Sequence, residues 1–318
     1  MIFPWQEKQW QQLWQSWRDG RLPHALLLTG LSGLGKKQFA EAFLQAQLCK
    51  QVSNSGQACG KCHDCHLLQT KAHPNVLWVE PTQESHAIKI DQIREVSEFV
   101  QQTSFQGTQR MVVVCPAENM NLAAANALLK TLEEPAAGLL LMLITQQSDT
   151  LPATILSRCQ RVVFLPPEKS QALSWLTTHW QEPSLDPELL LGLAQGAPLQ
   201  ALASAQPEQF MLRHEVMEAF FKEKHDPLHY AAKWKDEEIA LILMWIQSGL
   251  VDVLRAQSTG VKEYLQNQDY AEVLLPLSQK ISAPAVMAKL DKIQEVRRSL
   301  AAGVHLNKQL LLEAVMTT

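Results

Sequence analysis

Short apolar runs alternate with stretches of helical periodicity over the first half of the chain. Runs of this kind are typical of strands that a parallel sheet buries on both faces. The stretches between them repeat apolar residues at every third or fourth position, which predicts amphipathic helices packed on that sheet. The predicted strands are 25–28, 76–80, 110–114, 139–145 and 162–165, and the helices between them include 88–100 and 121–134. The first half therefore predicts an α/β fold with a mostly parallel sheet.

The pattern changes after Pro166-Pro167, where strands disappear and only helical periodicity continues. Residues 168–205 predict a small helical unit, and a longer all-helical region begins at about residue 208. These helices carry neither a basic stripe nor a metal-binding pattern, which favours packing in a bundle and a subunit interface. We therefore predict three domains: 1–166, 167–207 and an oligomerisation domain at 208–318.

A glycine-rich segment follows the first strand and leads into the first helix of the α/β domain. It matches the phosphate-binding pattern Gly-x4-Gly-Lys-[Ser/Thr] at all but its last position, where Lys37 stands in place of a hydroxyl. That hydroxyl would coordinate magnesium, so the substitution makes ATP hydrolysis doubtful. The candidate residues of this degenerate phosphate loop are Gly30, Gly33, Gly35 and Lys36.

The strand at 110–114 lacks the acidic pair that a nucleotide hydrolase needs at its end. One such carboxylate would hold magnesium and the other would polarise water. The strand is instead followed by Cys115-Pro116, and Glu118, three residues further on than Cys115, is predicted to be a solvated loop residue. Two independent catalytic elements are therefore damaged, and together they argue more strongly against ATP hydrolysis than either defect alone.

Four of the six cysteines crowd into the segment after the first helix, as Cys-x9-Cys-x2-Cys-x2-Cys. Four thiolates complete a closed tetrahedral zinc site, which would be structural because no ligand position stays open. An iron–sulfur cluster, free thiols, or a histidine ligand from His63, His66 or His73 are the alternatives. The predicted zinc module spans about 49–66, with Cys49, Cys59, Cys62 and Cys65 as ligands.

The charge balance limits the partners that this chain can bind by itself. The 318 residues carry a formal net charge of -4, which argues against a protein that binds nucleic acid through its whole surface. The N-terminus lacks the apolar core of a signal peptide, and no run of about 18 apolar residues indicates a membrane span. We expect a cytoplasmic protein with reduced cysteines and no membrane partner.

The run Asn126-Ala127-Leu128-Leu129-Lys130-Thr131-Leu132-Glu133-Glu134-Pro135 and the later Leu156-Ser157-Arg158-Cys159 closely resemble bacterial clamp-loader subunits. These are AAA+ proteins of the DNA polymerase III holoenzyme. The cysteine insert also resembles that family, and so does the order of an α/β domain, a small helical lid domain and an all-α C-terminal domain. The departures at Lys37 and at Cys115-Pro116 are typical of a non-hydrolysing member, in which ATP is not expected to be hydrolysed.

The resemblance implies a role for Arg158 and a set of partners. In clamp loaders this arginine acts in trans, as an arginine finger that reaches the γ-phosphate of ATP bound by the neighbouring subunit. By itself, the sequence favours a surface arginine or a local ion pair over this role, and only the resemblance reverses that order; the roles of Lys130 and Glu133-Glu134 stay open. The implied partners are tau/gamma and delta subunits in a hetero-oligomeric ring, with the sliding beta clamp and primed DNA bound through the complex.

Two other functions fit parts of the sequence. The chain could be an active AAA+ ATPase of the tau/gamma type, since Lys36 is present and the loop could still cradle nucleotide. It could also be a nucleic-acid binder built on the zinc module, which the net charge of -4 opposes. ATP turnover by the isolated chain would favour the first alternative, and steeply salt-dependent DNA binding the second.

Overall fold

The computed structural model describes residues 2–82, 85, 87–102, 109–180, 185–222, 226–301 and 307–317. These residues form two compact units, 1–171 and 172–318. The first unit contains the sheet, and all secondary structure described in the second is helical. The predicted fold class, a parallel α/β part followed by helices, is confirmed, whereas the division into three domains stays a prediction.

Five parallel strands form the sheet of the first unit, in the order β2-β3-β4-β1-β5. Their bounds are β1 Ala25–Thr29, β2 Val76–Val79, β3 Arg110–Val114, β4 Leu139–Thr145 and β5 Gln160–Val163. The first four agree closely with the sequence. The fifth was predicted at 162–165, but its pairing with β1 begins at Gln160 and ends at Val163, so the apolar Phe164-Leu165 lies beyond it.

Helices cover the sheet and connect its strands. In the first unit they are α1 Glu7–Arg18, α2 Lys36–Leu48, α3 His63–Gln69, α4 Ile90–Gln101, α5 Leu122–Glu133 and α6 Ala153–Leu156. Alternate residues of β1 point to opposite faces of the sheet, and both sets are buried. On one face Leu27 joins a core built with α4 and α5. Because β1 and β4 are sandwiched in this way, they are almost entirely apolar in sequence, whereas the edge strand β5 is largely exposed and begins with Gln160 and Arg161.

The second unit is a set of helices, and its described residues include two larger hydrophobic cores and a small cluster around Ala256, Leu265 and Ala271. Its helices are α7 Lys169–His179, which begins in the first unit, α8 Pro187–Leu193, α9 Pro198–Ala203, α10 Pro207–Phe221, α11 Pro227–Lys233, α12 Ile239–Thr259, α13 Ala271–Lys280, α14 Ala283–Ala301 and α15 Lys308–Met316. A small core joins α7, α8 and α9. A larger core joins α10 to α15, with α12 at its centre.

Helix α12 has the length and apolar composition of a membrane span, contrary to the expectation that no run of the sequence is long and apolar enough. Its apolar composition has another physical cause, because ten of its 21 residues are buried inside the unit. One of them is Asp252, whose carboxylate accepts hydrogen bonds from the backbone and side chain of Asn267. Asn267 and Asp269 in turn accept hydrogen bonds from the buried Arg213 of α10. This polar network ties α10 and α12 to the segment before α13.

Candidate functional site

The degenerate phosphate loop lies between β1 and α2, at the edge of the sheet where all the strands end. Gly30 has a φ of 144°, and a Cβ there would collide with the carbonyl oxygen of Phe164. Gly35 has a φ of 80°, and a Cβ there would meet the ring of Phe3 at 2.5 Å. Gly33 lies in the same loop with a φ of 74°. The loop therefore requires glycine at Gly30 and Gly35 for conformation and for space.

The ammonium group of Lys36 is directed back onto the loop. Its Nζ donates hydrogen bonds to the carbonyl oxygens of Gly30, at 2.6 Å, and Leu31, at 2.7 Å. The residue is only 5% exposed, and burial lowers the pKa of Lys36 to about 8. Lys36 thus holds the loop closed by satisfying its own carbonyl groups, and this contact was not predicted from the sequence.

Lys37, at the position of the missing hydroxyl, forms an ion pair with Glu80 at the end of β2. Its ammonium also lies 5.9 Å from the ring centroid of Trp78. Burial opposes the charge, but the hydrogen bond and the negative charge of Glu80 outweigh it and raise the pKa of Lys37. A fixed cation with its own counter-ion therefore stands where a metal ligand would be needed.

The segment after β3 supplies a thiol and one carboxylate to the same edge. Burial raises the pKa of Cys115, so its sulfur stays neutral. The prediction that Glu118 is solvated is wrong. Its Oε1 accepts a hydrogen bond from the backbone N–H of Gln146 at 3.0 Å, and its Oε2 is buried without a hydrogen-bond partner among the residues described. Glu118 lies here because β3 and β4 are adjacent and parallel, so that their ends meet.

The segment before α1 donates side-chain hydrogen bonds to backbone carbonyl groups of the phosphate loop. The buried amide of Gln6 donates to the carbonyl oxygens of Leu34 and Gly35, at 2.8 and 2.9 Å. The indole of Trp5 donates to the same Leu34 oxygen at 3.0 Å. These bonds hold the turn into α2 in place from within the chain. The sequence gives no local signal for them, because the partners are about 30 residues apart.

The two segments that resemble clamp-loader proteins meet in space. Helix α6 and the turn after it pack on α5, where Leu128, Leu132, Ile155 and Cys159 share one core. Cys159 is buried, and burial raises the pKa of its thiol to about 11, which keeps the thiol unreactive. Because Ile155 and Cys159 anchor the turn on both sides, Arg158 between them is held at the surface.

The guanidinium of Arg158 is held by three contacts. Its Nη1 donates to the carbonyl oxygen of Thr154 at 2.9 Å and to the hydroxyl of Ser157 at 3.2 Å. Its Nη2 lies 2.7 Å from a carboxylate oxygen of Glu133, the last residue of α5. The side chain of Arg158 is 35% exposed, so it stays accessible from outside the chain. The local ion pair that the sequence left open is therefore present.

The structure brings together the four predicted cysteine ligands. Their sulfur atoms all lie within 4.8 Å of one another, and those of Cys49 and Cys62 are 4.0 Å apart. A tetrahedral zinc ion with Zn–S bonds of about 2.3 Å requires sulfur atoms about 3.8 Å apart. The set is therefore of the right size and chemistry to hold a metal ion such as zinc.

Backbone N–H groups favour thiolates at this cluster. The N–H groups of Gln51 and Cys59 lie 3.4 and 3.2 Å from the sulfur of Cys49. The N–H of Lys61 is the largest cause that lowers the pKa of Cys59, to about 6. Burial raises the pKa of Cys65 to about 12, so a bound cation would be needed to keep all four sulfurs charged.

The histidine alternatives receive no support from the geometry. His73 is buried, but its Nδ1 accepts a hydrogen bond from the N–H of Asn75 and its Nε2 lies 3.6 Å from Asp64. His63 and His66 are exposed. Among the residues that the structure describes, the close group contains cysteine sulfurs alone.

The cysteine segment is attached to the first unit through α1. The indole N–H groups of Trp10 and Trp14 donate to the carbonyl oxygens of Ser55 and Asn54, at 2.9 and 3.1 Å. Both rings are buried, and Trp10 also packs edge-on against Phe39 of α2. These tryptophans are therefore packing residues that bind the loop between Cys49 and Cys59 to the rest of the unit.

Comparison with known proteins finds matches over almost the whole chain. One family profile, "DNA polymerase III, delta subunit", matches residues 5–168, and a second, for the C-terminal part of the delta protein of DNA polymerase III, matches 207–318. The DNA polymerase III subunit delta′ of Pseudomonas aeruginosa is 35% identical, over 99% of this chain and 96% of that protein. The chain belongs to the DNA polymerase III delta′ family. This confirms the resemblance that the sequence motifs indicated.

Other relatives agree with the delta′ assignment. The delta′ subunit of Escherichia coli is 30% identical, over 98% of this chain and 92% of that protein. The tau/gamma subunit of Haemophilus influenzae is also 30% identical, but over 57% of this chain and 26% of that protein. The delta′ family membership confirms that the chain is part of the DNA polymerase III assembly.

Proposed function

We propose that this chain is the non-hydrolysing subunit of a clamp loader. It occupies one position in a cytoplasmic ring with tau/gamma and delta subunits, and it helps the ring to load the sliding beta clamp on primed DNA. The observation that carries this proposal is the arrangement at the phosphate loop, where the Lys37–Glu80 ion pair stands at the magnesium position while Arg158 stays accessible.

The loss of hydrolysis follows from the charges at the end of the sheet. A hydrolytic site needs a magnesium ion held by a hydroxyl and a carboxylate, and a second residue that orients water. Here the first position is an ammonium group and the strand ends in a neutral, half-buried Cys115. Magnesium would therefore meet a fixed cation and no strong ligand at the positions where it binds in related enzymes.

Arg158 is the residue that we expect to act in ATP hydrolysis, at a site in the neighbouring subunit. A guanidinium offers forked, charge-assisted hydrogen bonds that match the geometry of phosphate oxygens. Its three contacts within this chain use at most three of its five N–H groups. Donors therefore stay available for the γ-phosphate of bound ATP in the adjoining subunit.

The cysteine module would hold one structural zinc ion through Cys49, Cys59, Cys62 and Cys65. The module contains only one short helix, α3, so the metal would supply the cross-link that a small apolar core cannot. Its four sulfur atoms leave no position for substrate or water. The role that we assign to zinc is therefore stability of the segment that packs on Trp10 and Trp14.

The isolated chain is expected to turn over no ATP, because the magnesium ligands are missing. Steady-state phosphate release at micromolar protein, with magnesium and primed DNA present, checks this. The matched control is the same preparation assembled with its partner subunits, which should hydrolyse ATP under identical conditions. Turnover by the isolated chain above the rate of a mock preparation would contradict the proposal and favour an active ATPase.

Replacing Lys36 with alanine is expected to leave the rate of clamp loading unchanged. The side chain donates hydrogen bonds to the carbonyl oxygens of Gly30 and Leu31 within the loop. Its loss should therefore lower only the stability of the fold, by about 1–3 kcal/mol, because these carbonyl oxygens lose their hydrogen-bond donor. Clamp loading by the reconstituted complex and thermal unfolding of the chain measure the two effects. Lys8→Ala, at an exposed position of α1, is the control. A severe loading defect in Lys36→Ala but not in Lys8→Ala would mean that the loop binds a ligand needed for loading.

A further inference from the structure

We propose that Glu133 is a positioning residue, which orients the guanidinium of Arg158 for its action on the neighbouring subunit. This inference rests on the proposed trans role of Arg158. The two residues belong to different segments, the end of α5 and the turn after α6, and they meet with Nη2 2.7 Å from Oε1. The carboxylate therefore contacts the group that is expected to reach the phosphate.

The backbone that carries Glu133 is fixed on both sides. The preceding Leu132 is buried in the core that also contains Ile155. The ring of His24 lies 3.1 Å from the carbonyl oxygen of Leu132, and the N–H of Glu134 donates to the carbonyl oxygen of Lys130. The carboxylate consequently has a defined position relative to the turn that holds Arg158.

The contacts of Arg158 divide between two sides of its guanidinium. The carbonyl oxygen of Thr154 and the hydroxyl of Ser157 hold Nη1, while Glu133 holds Nη2. Two nitrogen atoms held at once fix the plane of the group, which a single contact would leave free to rotate. A long side chain fixed in this way loses less conformational entropy when it binds phosphate.

The ion pair is also weak enough to be exchanged. The side chains of Arg158 and Glu133 are 35% and 51% exposed, and pairs exposed to this extent contribute little to stability. A phosphate bound by the neighbour can therefore take over the Nη2 donor without a large cost. This distinguishes an orienting contact from a buried ion pair, which would hold the arginine permanently.

The test is DNA-stimulated ATP turnover by the reconstituted complex, with kcat and KM measured separately. Glu133→Ala is expected to lower kcat at the site that Arg158 serves, by up to about 100-fold, because small misplacements of a reacting group can cost that much. Since the other sites of the ring continue to turn over, the measured kcat of the complex should fall by up to the share of that one site. KM should change little, since the nucleotide is bound by the neighbour. Glu133→Gln keeps an acceptor oxygen and should retain most of the activity, whereas Glu133→Lys, which repels Arg158, should lose at least as much as alanine.

Glu134→Ala is the matched control, because Glu134 is the next residue along the chain and is also exposed. This variant is expected to leave turnover unchanged. The double variant Arg158→Ala/Glu133→Ala should lose no more turnover than Arg158→Ala alone.

Turnover in Glu133→Ala at or above the wild-type rate would overturn the positioning role, while a defect in Arg158→Ala would still support the proposed function. Wild-type turnover in Arg158→Ala would instead remove the trans role itself. Assembly and the unfolding temperature of each variant show whether folding is intact, and wild-type turnover in Glu133→Lys would overturn the inference independently of the alanine variant.

Discussion

Replacing Arg158 with alanine is expected to remove ATP turnover at the neighbouring site that this residue serves. An arginine supplied in trans contributes about 10³–10⁵ to the rate in related phosphoryl-transfer systems. Turnover at other sites of the ring should continue, so the complex as a whole loses the share of that one site. Folding and assembly should be intact, because the guanidinium is part of the surface and only its neighbours Ile155 and Cys159 are in the core.

The measurement is DNA-stimulated ATPase of the reconstituted complex, with two controls. Arg161→Ala removes an exposed arginine three residues further along the chain and should have no effect. Arg158→Lys keeps the charge but not the forked donors, so it should recover little of the lost rate. Unchanged turnover in Arg158→Ala would disprove the trans role, and full activity in Arg158→Lys would mean that charge alone suffices.

Replacing Cys62 with serine is expected to remove the metal and to unfold the module around it. Cys62 contributes one of four sulfur atoms and is also the N-terminal capping residue just before helix α3, so its loss affects the ligand set and the local fold together. Structural zinc contributes about 10–16 kcal/mol to small zinc-finger domains. Metal analysis should give about one zinc per wild-type chain, as a four-cysteine site predicts, and much less in the variant.

His66→Ala is the matched control for the metal site, since His66 lies one residue beyond Cys65 and is exposed. This variant should keep the zinc content of the wild-type chain and its resistance to proteolysis between residues 49 and 66. Full zinc content in Cys62→Ser would discredit the four-cysteine site, and loss of zinc in His66→Ala would establish a histidine ligand instead.

The strands of the sheet could be predicted from the sequence because their environment leaves a local signal. A parallel strand covered by helices on both faces is mostly apolar, as the runs Met111–Val114 in β3 and Leu139–Ile144 in β4 show directly. The same reasoning extended the fifth strand too far, since Phe164 and Leu165 are apolar but follow the last residue that pairs with β1. The sequence also predicted helices in the second unit but no run apolar enough for a membrane span, whereas helix α12 has that length and composition because much of it is buried inside the unit.

The cysteine cluster could also be predicted, because three of its ligands are separated by two residues each and the metal chemistry fixes that spacing. Contacts between distant segments could not. Glu133 is 25 residues before Arg158 and looks like an ordinary charge at a helix end, and Gln6 gives no local sign that it braces Gly35. Glu118 looks like a loop residue until the parallel ends of β3 and β4 bring it beside Gln146.

The central claim is that this phosphate loop has a structural role only, while Arg158 acts on the ATP site of the neighbouring subunit. The most direct test compares Arg158→Ala and Lys36→Ala side by side, as DNA-stimulated ATP turnover of the reconstituted complex. The claim predicts a clear loss with the first variant and wild-type turnover with the second. Wild-type turnover with Arg158→Ala together with a loss in Lys36→Ala would contradict it, because the chain would then use its own nucleotide pocket.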